Sequence, residues 1–195
     1  VCCGQGRHLR AFHELGISKC FGIDLSQYLL SNLISKCPVI RSRMDNIPLQ
    51  DGSVDIVTSF FTSFGYLSTE EDNLKVLHEF QRVMRGGGYL VLDIANRRYL
   101  ECNLICKSES CVCTPQATTE VYKETRSIVD GIVTKVICKE SSGEKFTERV
   151  RTYYKSEMES YLSKIGFEVS YWLNENFEKF DEQTSTRHWI VCRSK

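Results

Sequence analysis

The 195-residue chain is long enough to bury a core and is expected to form a single domain over residues 1–195. Its hydrophobic share of 42% and charged share of 26% exclude a disordered chain, and its apolar stretches, such as residues 89–92, are far shorter than the roughly 20 residues that cross a bilayer. Lys plus Arg and Asp plus Glu both number 25, so no net charge draws the chain to nucleic acid or acidic lipid, and neither is an expected partner.

The first half of the chain predicts alternating strands and helices. Residues 1–6 are the expected end of a buried strand entering a glycine turn, so we expect that strand to start upstream of Val1. Right-handed crossovers fold such an alternation into a parallel sheet with helices on both faces. The predicted elements are a helix over 7–15 ended by Gly16, a strand over 20–23, a helix capped by Ser26 that buries Leu30, Leu33 and Ile34, a strand at 39–40, a strand over 54–61, a helix with a Ser68–Glu71 capping box that stops at the glycines 86–88, and a strand over 89–94.

After Asn96 the pattern changes to β-rich runs. Residues 118–129 and 132–139 flank Asp130-Gly131, a type I′ hairpin signal, and residues 146–154 form a third strand. Residues 97–115 are expected to be a long loop. The chain then predicts a helix with a Ser156–Glu159 capping box, ended by Gly166, and strands over 167–173 and 188–192. The expected fold is α/β: a doubly wound, mostly parallel seven-stranded sheet with a three-stranded antiparallel insertion after the fifth strand.

Ligands of open α/β sheets bind beyond the carboxyl ends of the strands, where Gly4, Gly6 and Asp24 are expected to lie. The glycines would allow backbone to approach a ligand, and Asp24 would accept bonds from ribose hydroxyls. Two structural alternatives remain: a glycine turn that only reverses the chain, and an Asp24 that only stabilises a helix N-terminus. A nicotinamide dehydrogenase is disfavoured because Leu9 stands where its fingerprint has a third glycine.

Several motifs resemble those of class I, Rossmann-like S-adenosylmethionine-dependent methyltransferases of small molecules, and we expect such an enzyme. They are residues 2–8, 22–26, 45–49, 51–55, 61–66, 79–84, 87–88 and 92–93. The resemblance implies S-adenosylmethionine as cofactor, Gly4 and Gly6 along its methionine and ribose, Asp24 on the ribose, Asp45 and the Asn46 backbone at adenine, and Ser59 and Phe60 at the methyl donor. The full implied set is Cys2, Cys3, Gly4, Gly6, Asp24, Leu25, Asp45, Asn46, Ser59 and Phe60.

Three departures from that family concern the start of the domain and one glycine. Cys2 stands at the family's first glycine, Gly86 replaces a proline, and the acidic residue of the first strand would precede Val1. The helices that cover the ligand in that family are also not in this sequence. We therefore expect a chain trimmed at its N-terminus that binds cofactor poorly by itself.

Residues 1–96 are expected to form the cofactor-binding half, 97–155 the loop and a lid over the active site, and 156–195 the C-terminal helix and last two strands. The substrate-side candidates are Phe61, Tyr66, Asn96 and Arg97, each with a structural alternative in the core, a loop or a solvated pair. Methyl transfer from a sulfonium is an in-line displacement, so no catalytic base is assigned. His8 and His188 are expected to be structural.

The cysteines predict a cytoplasmic protein with reduced thiols, since no signal peptide accompanies them. Cys102, Cys106, Cys111 and Cys113 lack a paired Cys-x-x-Cys unit, so no metal is expected. A nucleic-acid methyltransferase is an alternative, disfavoured by residues 59–62 and by the neutral charge. A noncatalytic cofactor-binding scaffold is a second alternative. No feature predicts the methyl acceptor or an oligomeric state.

Overall fold

The structure of the protein, a computed structural model, describes residues 1–31, 33, 37–113 and 119–195. Ile34 of the predicted second helix and residue 118 of a predicted strand therefore lie outside the described residues. The helices are α1 (Arg7–Glu14), α2 (Gln27–Ser31), α3 (Glu70–Val83), α4 (Arg97–Asn103) and α5 (Lys155–Ile165). The strands are β1 (Gly22–Asp24), β2 (Val39–Arg41), β3 (Val54–Ser59), β4 (Met84–Ala95), β5 (Lys107–Cys113), β6 (Thr119–Val129), β7 (Ile132–Lys139), β8 (Lys145–Arg151), β9 (Phe167–Leu173) and β10 (Arg187–Ser194).

The α/β part of the chain contains two sheets rather than one continuous ladder. Strands β1 and β2 pair in parallel, and a second sheet has the order β3-β4-β10-β9. Its β3–β4 pair is parallel, but β10 runs antiparallel to both neighbours. Residues 1–3 are not a strand, yet Cys3 N–H donates to Ile23 O at 2.9 Å and the Val1 nitrogen donates to Thr58 O at 2.6 Å. This short segment thus bridges the two sheets.

The antiparallel region has four strands instead of the expected three. The order is β5-β6-β7-β8, and the residues predicted as a long loop contain both α4 and β5. The polar sequence of β5 predicts a loop, but in the structure this segment pairs along its whole length with β6. The hairpin prediction is confirmed: Val129 pairs with Ile132, and Asp130 and Gly131 have the positive φ angles, 49° and 76°, of a type I′ turn.

Helix ends differ from the predictions by one or two residues. The N-cap of α3 is Thr69, not Ser68, because Thr69 Oγ1 accepts a hydrogen bond from Asp72 N–H at 3.1 Å. Helix α5 begins at Lys155, and Glu157 rather than Glu159 accepts from the Tyr154 amide. Gly166 ends α5 with φ 105°, as predicted.

The glycines 86–88 do not stop a helix, because α3 passes at Val83 directly into β4 and the glycines lie inside that strand. A Cβ atom at Gly88 would be 2.7 Å from Asp55 O of β3, so the close approach of the two strands requires glycine there.

The core lies between the β3-β4-β10-β9 sheet and the two long helices α3 and α5. Leu90 and Leu92 of β4 are completely buried, as are Leu77 and Phe80 of α3. Among the described residues, no apolar side chain between 97 and 152 belongs to this buried set. None of the described helices is long and apolar enough to span a membrane.

Candidate functional site

A small, open pocket with a cavity volume of about 70 Å³ lies beyond the carboxyl ends of β1 and β2. Asp24, which ends β1, and Asp45, in the loop after β2, both line it, and Leu25 lies beside them. The two carboxylates that the sequence assigned to one ligand therefore do face one cavity. The complete lining is Val1, Cys2, Ile23, Asp24, Leu25, Ser42, Arg43, Met44, Asp45 and Leu67.

Asp24 connects the glycine turn to the start of α2. Its Oδ2 accepts from Gly4 N–H at 2.7 Å, and its Oδ1 accepts from Ser26 N–H at 2.9 Å. Asp24 thus makes the bonds expected of a residue that stabilises the N-terminus of a helix, which is the structural alternative for this carboxylate. A carboxylate offers about four acceptor positions, so two remain for hydroxyl donors of a ligand.

The two glycines of the turn have different surroundings. Both have positive φ, 52° at Gly4 and 72° at Gly6. A Cβ atom at Gly4 would have its nearest described neighbour, Leu29 Cδ1, 4.0 Å away, whereas at Gly6 it would lie 2.5 Å from Leu33 Cδ2. Among the described residues, Gly4 therefore keeps open space beside the pocket, whereas glycine is needed at position 6 because Leu33, just after α2, packs against it.

Asp45 is held by a neighbouring guanidinium. Arg43 Nε and Nη2 donate to its two carboxylate oxygens at 2.8 and 2.7 Å. These hydrogen bonds lower the pKa of Asp45, so it is ionised at neutral pH. Asn46, by contrast, is exposed, and its backbone N–H donates to Arg43 O at 3.4 Å. The structure thus brings Asp45, but not Asn46, into the lining.

Two cysteines directly precede the glycine turn. Cys2 lines the pocket with a φ of 54°, and its thiol is 3.8 Å from Met44 Sδ. Burial raises the pKa of Cys2 to about 11, so the thiol is protonated and acts as an apolar wall. Burial also raises the pKa of Cys3, whose Sγ would be 2.6 Å from a Cβ atom at Gly22 and so packs against β1.

Ser59, the last residue of β3, and Phe60, which follows it, do not line the pocket. Ser59 is 1% exposed, and its hydroxyl has no partner among the described residues. Phe60 packs in an aromatic cluster, with ring centroids 5.0 Å from His8 and 5.3 Å from Trp189. His8 is therefore a packing residue, as the sequence suggested.

Phe61 and Tyr66 occupy the loop between β3 and α3. Phe61 is 69% exposed and Tyr66 is 47% exposed. Burial of the Tyr66 hydroxyl, together with the negative charge of Glu148 on β8, raises its pKa. The neighbouring Gly65 accepts a hydrogen bond from Arg151 N–H at 2.8 Å. Tyr66 thus lies where the antiparallel sheet meets this loop, whereas the Phe61 ring is flanked by Arg7 and Arg187.

Asn96 and Arg97, the other two substrate-side candidates, make structural contacts within the fold. Asn96 is completely buried; its side chain accepts from Arg98 N–H as the N-cap of α4 and donates to Ser185 O at 2.7 Å. Arg97 pairs with Glu101 at 2.9 Å and covers the Tyr154 ring at 4.4 Å. The side-chain amide of Asn96 is fully engaged by its partners, whereas the Arg97 guanidinium is hydrogen-bonded only through Nε among the described residues.

The last site feature is a buried ion pair to which no role was assigned from the sequence. Asp93 of β4 is 3% exposed, and it pairs with Arg187 at the start of β10. Asp93 Oδ2 also accepts from Phe61 N–H at 2.8 Å. The only signal was a charged residue at the end of an apolar strand, where ligand-side residues of α/β folds collect.

His188 is a core residue. Its Nδ1 accepts from the Trp172 indole at 2.8 Å, and burial lowers its pKa to about 4. Cys102, Cys106 and Cys111 are exposed, and within the described ranges no three His, Cys, Asp or Glu side chains are grouped to hold a metal ion.

Residues 1–92 match a protein family described as a methyltransferase domain. An uncharacterized protein of Methanocaldococcus jannaschii is 26% identical over 176 residues, which cover 89% of this chain and 62% of that protein. A S-adenosylmethionine-dependent methyltransferase of Clostridium acetobutylicum has a similar structure, with a TM-score of 0.82 and 17% identity over 99% of this chain and 81% of the other. For a sugar N-methyltransferase of Streptoalloteichus the values are 0.75 and 15%, over 100% and 78%. The chain has the α/β methyltransferase fold and spans 62% of the length of its archaeal relative.

Proposed function

We propose that this chain is a class I S-adenosylmethionine-dependent methyltransferase and that it transfers a methyl group to a small-molecule acceptor; its fold and the domain match of residues 1–92 support this proposal. One observation carries the proposal: Asp24 and Asp45, from the ends of two neighbouring strands, line a single pocket. Asp24 also bonds Gly4 and Ser26 within the chain, so the feature that favours a nucleoside site over a scaffold is that both carboxylates share one cavity.

The residues present fit the cofactor of this family. Asp24 has acceptor positions left for two ribose hydroxyls, and the open space at Gly4 admits a ligand against the backbone. Asp45, kept ionised by Arg43, would accept from the exocyclic amine of adenine. Leu25 and the Cys2 thiol would supply apolar contact. Ser59 and Phe60 stay candidates at the methyl end, whereas Cys3, Gly6 and Asn46 would act through the backbone or packing.

The bound cofactor supplies a sulfonium whose methyl carbon is electrophilic, so the protein itself has only to bind, orient and exclude water. Phe61 and Tyr66 would form the acceptor side, because they lie in the loop that joins β3 to α3 beside the pocket residue Leu67. No residue is assigned as a base.

A small acceptor is supported by the similarity to the sugar N-methyltransferase and by the absence of net charge, which disfavours nucleic acid. An amino sugar or a related small amine is therefore the acceptor class to test first. All nine cysteines whose side chains the structure describes are free thiols, which supports a reducing compartment such as the cytoplasm.

The arrangement of the strands supports a finer description of the fold. Joined through residues 1–3, the two sheets would form one seven-stranded sheet of order β2-β1-(1–3)-β3-β4-β10-β9. The β5–β8 sheet would be its insertion and lid after the fifth strand. We also propose a single domain, with residues 1–96 binding the cofactor.

The experiment compares the unmodified chain with the variants Asp24→Asn and Asp55→Asn. Asp55→Asn is the control, because Asp55 lies at the start of β3 and its carboxylate is 76% exposed and pairs with Arg85. Binding of S-adenosylhomocysteine is followed by ligand-observed NMR, which also detects weak complexes. Loss of a charge-assisted hydrogen bond should weaken binding about tenfold in Asp24→Asn only. Equal binding by all three proteins would contradict the proposed pocket.

Turnover is tested with S-adenosylmethionine carrying a labelled methyl group, offered with a panel of amino sugars and small amines, and separately with tRNA and DNA. Label transferred to a small molecule supports the proposal. Label in nucleic acid would overturn the acceptor class, and binding without transfer to any acceptor would favour the scaffold alternative.

A further inference from the structure

The chain leaves β3 through two consecutive residues in the left-handed region. Phe61 has φ 60° and Thr62 has φ 59°, and neither is glycine. Left-handed backbone costs a residue with a side chain roughly 1–2 kcal/mol and persists only where the surroundings enforce it. The surroundings of this pair must therefore supply specific interactions.

Those interactions converge on Asp93. Its Oδ2 accepts from Phe61 N–H at 2.8 Å, and its backbone oxygen accepts from Thr62 N–H at 2.9 Å. Its Oδ1 accepts from Arg187 Nε, while Arg187 Nη2 reaches Thr62 Oγ1 at 2.8 Å. One carboxylate and its guanidinium partner thus hold both strained residues.

The buried charge also needs explanation. Asp93 is 3% exposed whereas the Arg187 side chain is 27% exposed, and an ion pair that removes a carboxylate from water usually gains little stability over an apolar pair. A pair that served only to join β4 to β10 would need neither the Phe61 amide nor the Thr62 hydroxyl. The additional bonds run to the loop, so the pair acts on the loop.

The result is an aromatic ring fixed in an exposed position. Phe61 is 69% exposed, yet the guanidinium carbons of Arg7 and Arg187 lie 4.9 and 5.6 Å from its ring centroid. Cation–π contacts of this kind restrict where the ring can lie. The ring follows directly after the strand end that carries Ser59 and Phe60.

We propose that Asp93 is a positioning residue which, together with Arg187, fixes the Phe61 ring as a wall of the acceptor site. This inference rests on the proposed function, because it gives the wall a methyl acceptor to contact. Asp93 itself touches neither cofactor nor acceptor; it acts through the Phe61 amide.

The test uses Asp93→Asn, Arg187→Lys and the control Asp55→Asn, which breaks an exposed aspartate–arginine pair of β3. Protein containing fluorophenylalanine gives a ¹⁹F signal for Phe61, assigned with Phe61→Leu, and amide exchange reports on Phe61 N–H. We expect Asp93→Asn to shift that signal and to speed Phe61 amide exchange about tenfold, because a charge-assisted bond is lost. Arg187→Lys, which keeps the charge, should shift the signal less, and Asp55→Asn not at all.

The second readout separates positioning from general damage. Asp93→Asn should lower methyl transfer to the acceptor found in the panel about tenfold while binding S-adenosylhomocysteine as the unmodified chain does. An unchanged Phe61 signal in Asp93→Asn would overturn the inference, as would a loss of cofactor binding equal to the loss of transfer. If the unmodified chain neither binds nor transfers, the proposed function fails, whereas the ¹⁹F and exchange results still decide whether Asp93 fixes the ring.

Discussion

The α/β part of the chain and the β5–β8 sheet are stabilised in different ways. In the former, side chains such as Leu77 and Leu92 are completely buried. In the latter, every residue of β7 is only half-buried, and within the described chain no fully buried apolar side chain lies between 97 and 152. Packing therefore stabilises the first region and backbone ladders the second. The surface of the second region is therefore free to vary in sequence, provided that its strands pair.

The two regions meet at a few polar positions near the pocket. Gly65 accepts from Arg151 N–H, and a Cβ atom at Gly65 would be 2.3 Å from Arg151 O. Arg151 also pairs with Glu70 of α3 at 2.5 Å. Since Asp93 holds the start of the same loop at Phe61, the loop is fixed from both regions. The position of this loop thus depends both on the packed α/β region and on the β5–β8 sheet.

The largest expected difference between the regions is in the stability lost when a glycine of positive φ is replaced by alanine. Gly6 has φ 72° and Gly143, in the turn between β7 and β8, has φ 69°. In Gly6→Ala the new methyl group would be 2.5 Å from Leu33 Cδ2, whereas at Gly143 no described atom lies within 4 Å. We expect a loss of about 3 kcal/mol in unfolding free energy for Gly6→Ala, from backbone strain plus overpacking, and about 1 kcal/mol for Gly143→Ala.

Urea denaturation of both variants measures this difference. Gly143→Ala serves as the control for the cost of the backbone angle, so the excess at Gly6 isolates packing. Equal losses would show that the turn near the pocket is no more tightly packed than the exposed turn of the inserted sheet.

Acid sensitivity of the fold should reside in the packed region, at His188. Burial lowers its pKa to about 4, and its Nδ1 accepts from Trp172, so the folded state holds the neutral form. The unfolded state, with a pKa near about 6.5, binds a proton first as the pH falls. Stability from this group is complete above that value, falls between pH 6.5 and 4, and should be lower by about 2 kcal/mol at pH 5.

The measurement is the unfolding free energy at about pH 7.5 and pH 5 for the unmodified chain and for His188→Asn, which cannot titrate. The lowered pKa of His8 acts equally in both proteins and cancels. A pH dependence that is the same in the variant would place the acid-sensitive group elsewhere.

Local signals account for the parts of the molecule that could be predicted from sequence. The turn at Asp130-Gly131 and the end of α5 at Gly166 depend on backbone angles that few residues adopt. The placement of Asp24 and Asp45 at one pocket follows from the rule that neighbouring parallel strands end at the same edge. In each case the determining residues are close in sequence or are placed by the strand order.

Features that depend on distant partners could not be predicted. Asp93 and Arg187 are 94 residues apart, and neither carries a local sign of the other. Strand β5 is polar and becomes a strand only because β6 offers an unpaired edge. Nothing near Asn96 in the sequence shows that its side-chain amide donates to Ser185 O, 89 residues further along the chain. Long-range pairing decided all three.

The smallest expected difference in unfolding free energy is between the same substitution, Val→Thr, made once in each region. Val57 of β3 is 5% exposed, and Val129 of β6 is 67% exposed. Val→Thr keeps the β-branched shape, so strand propensity is conserved and the hydroxyl group is the main change. At Val57 the hydroxyl is buried among apolar neighbours and should cost about 1.5 kcal/mol, whereas at Val129 water solvates it and the loss should stay below about 0.5 kcal/mol. Each variant is the control for the other in urea denaturation. Equal losses would mean that the outer face of β6 is covered, and that the β5–β8 sheet is held by packing after all.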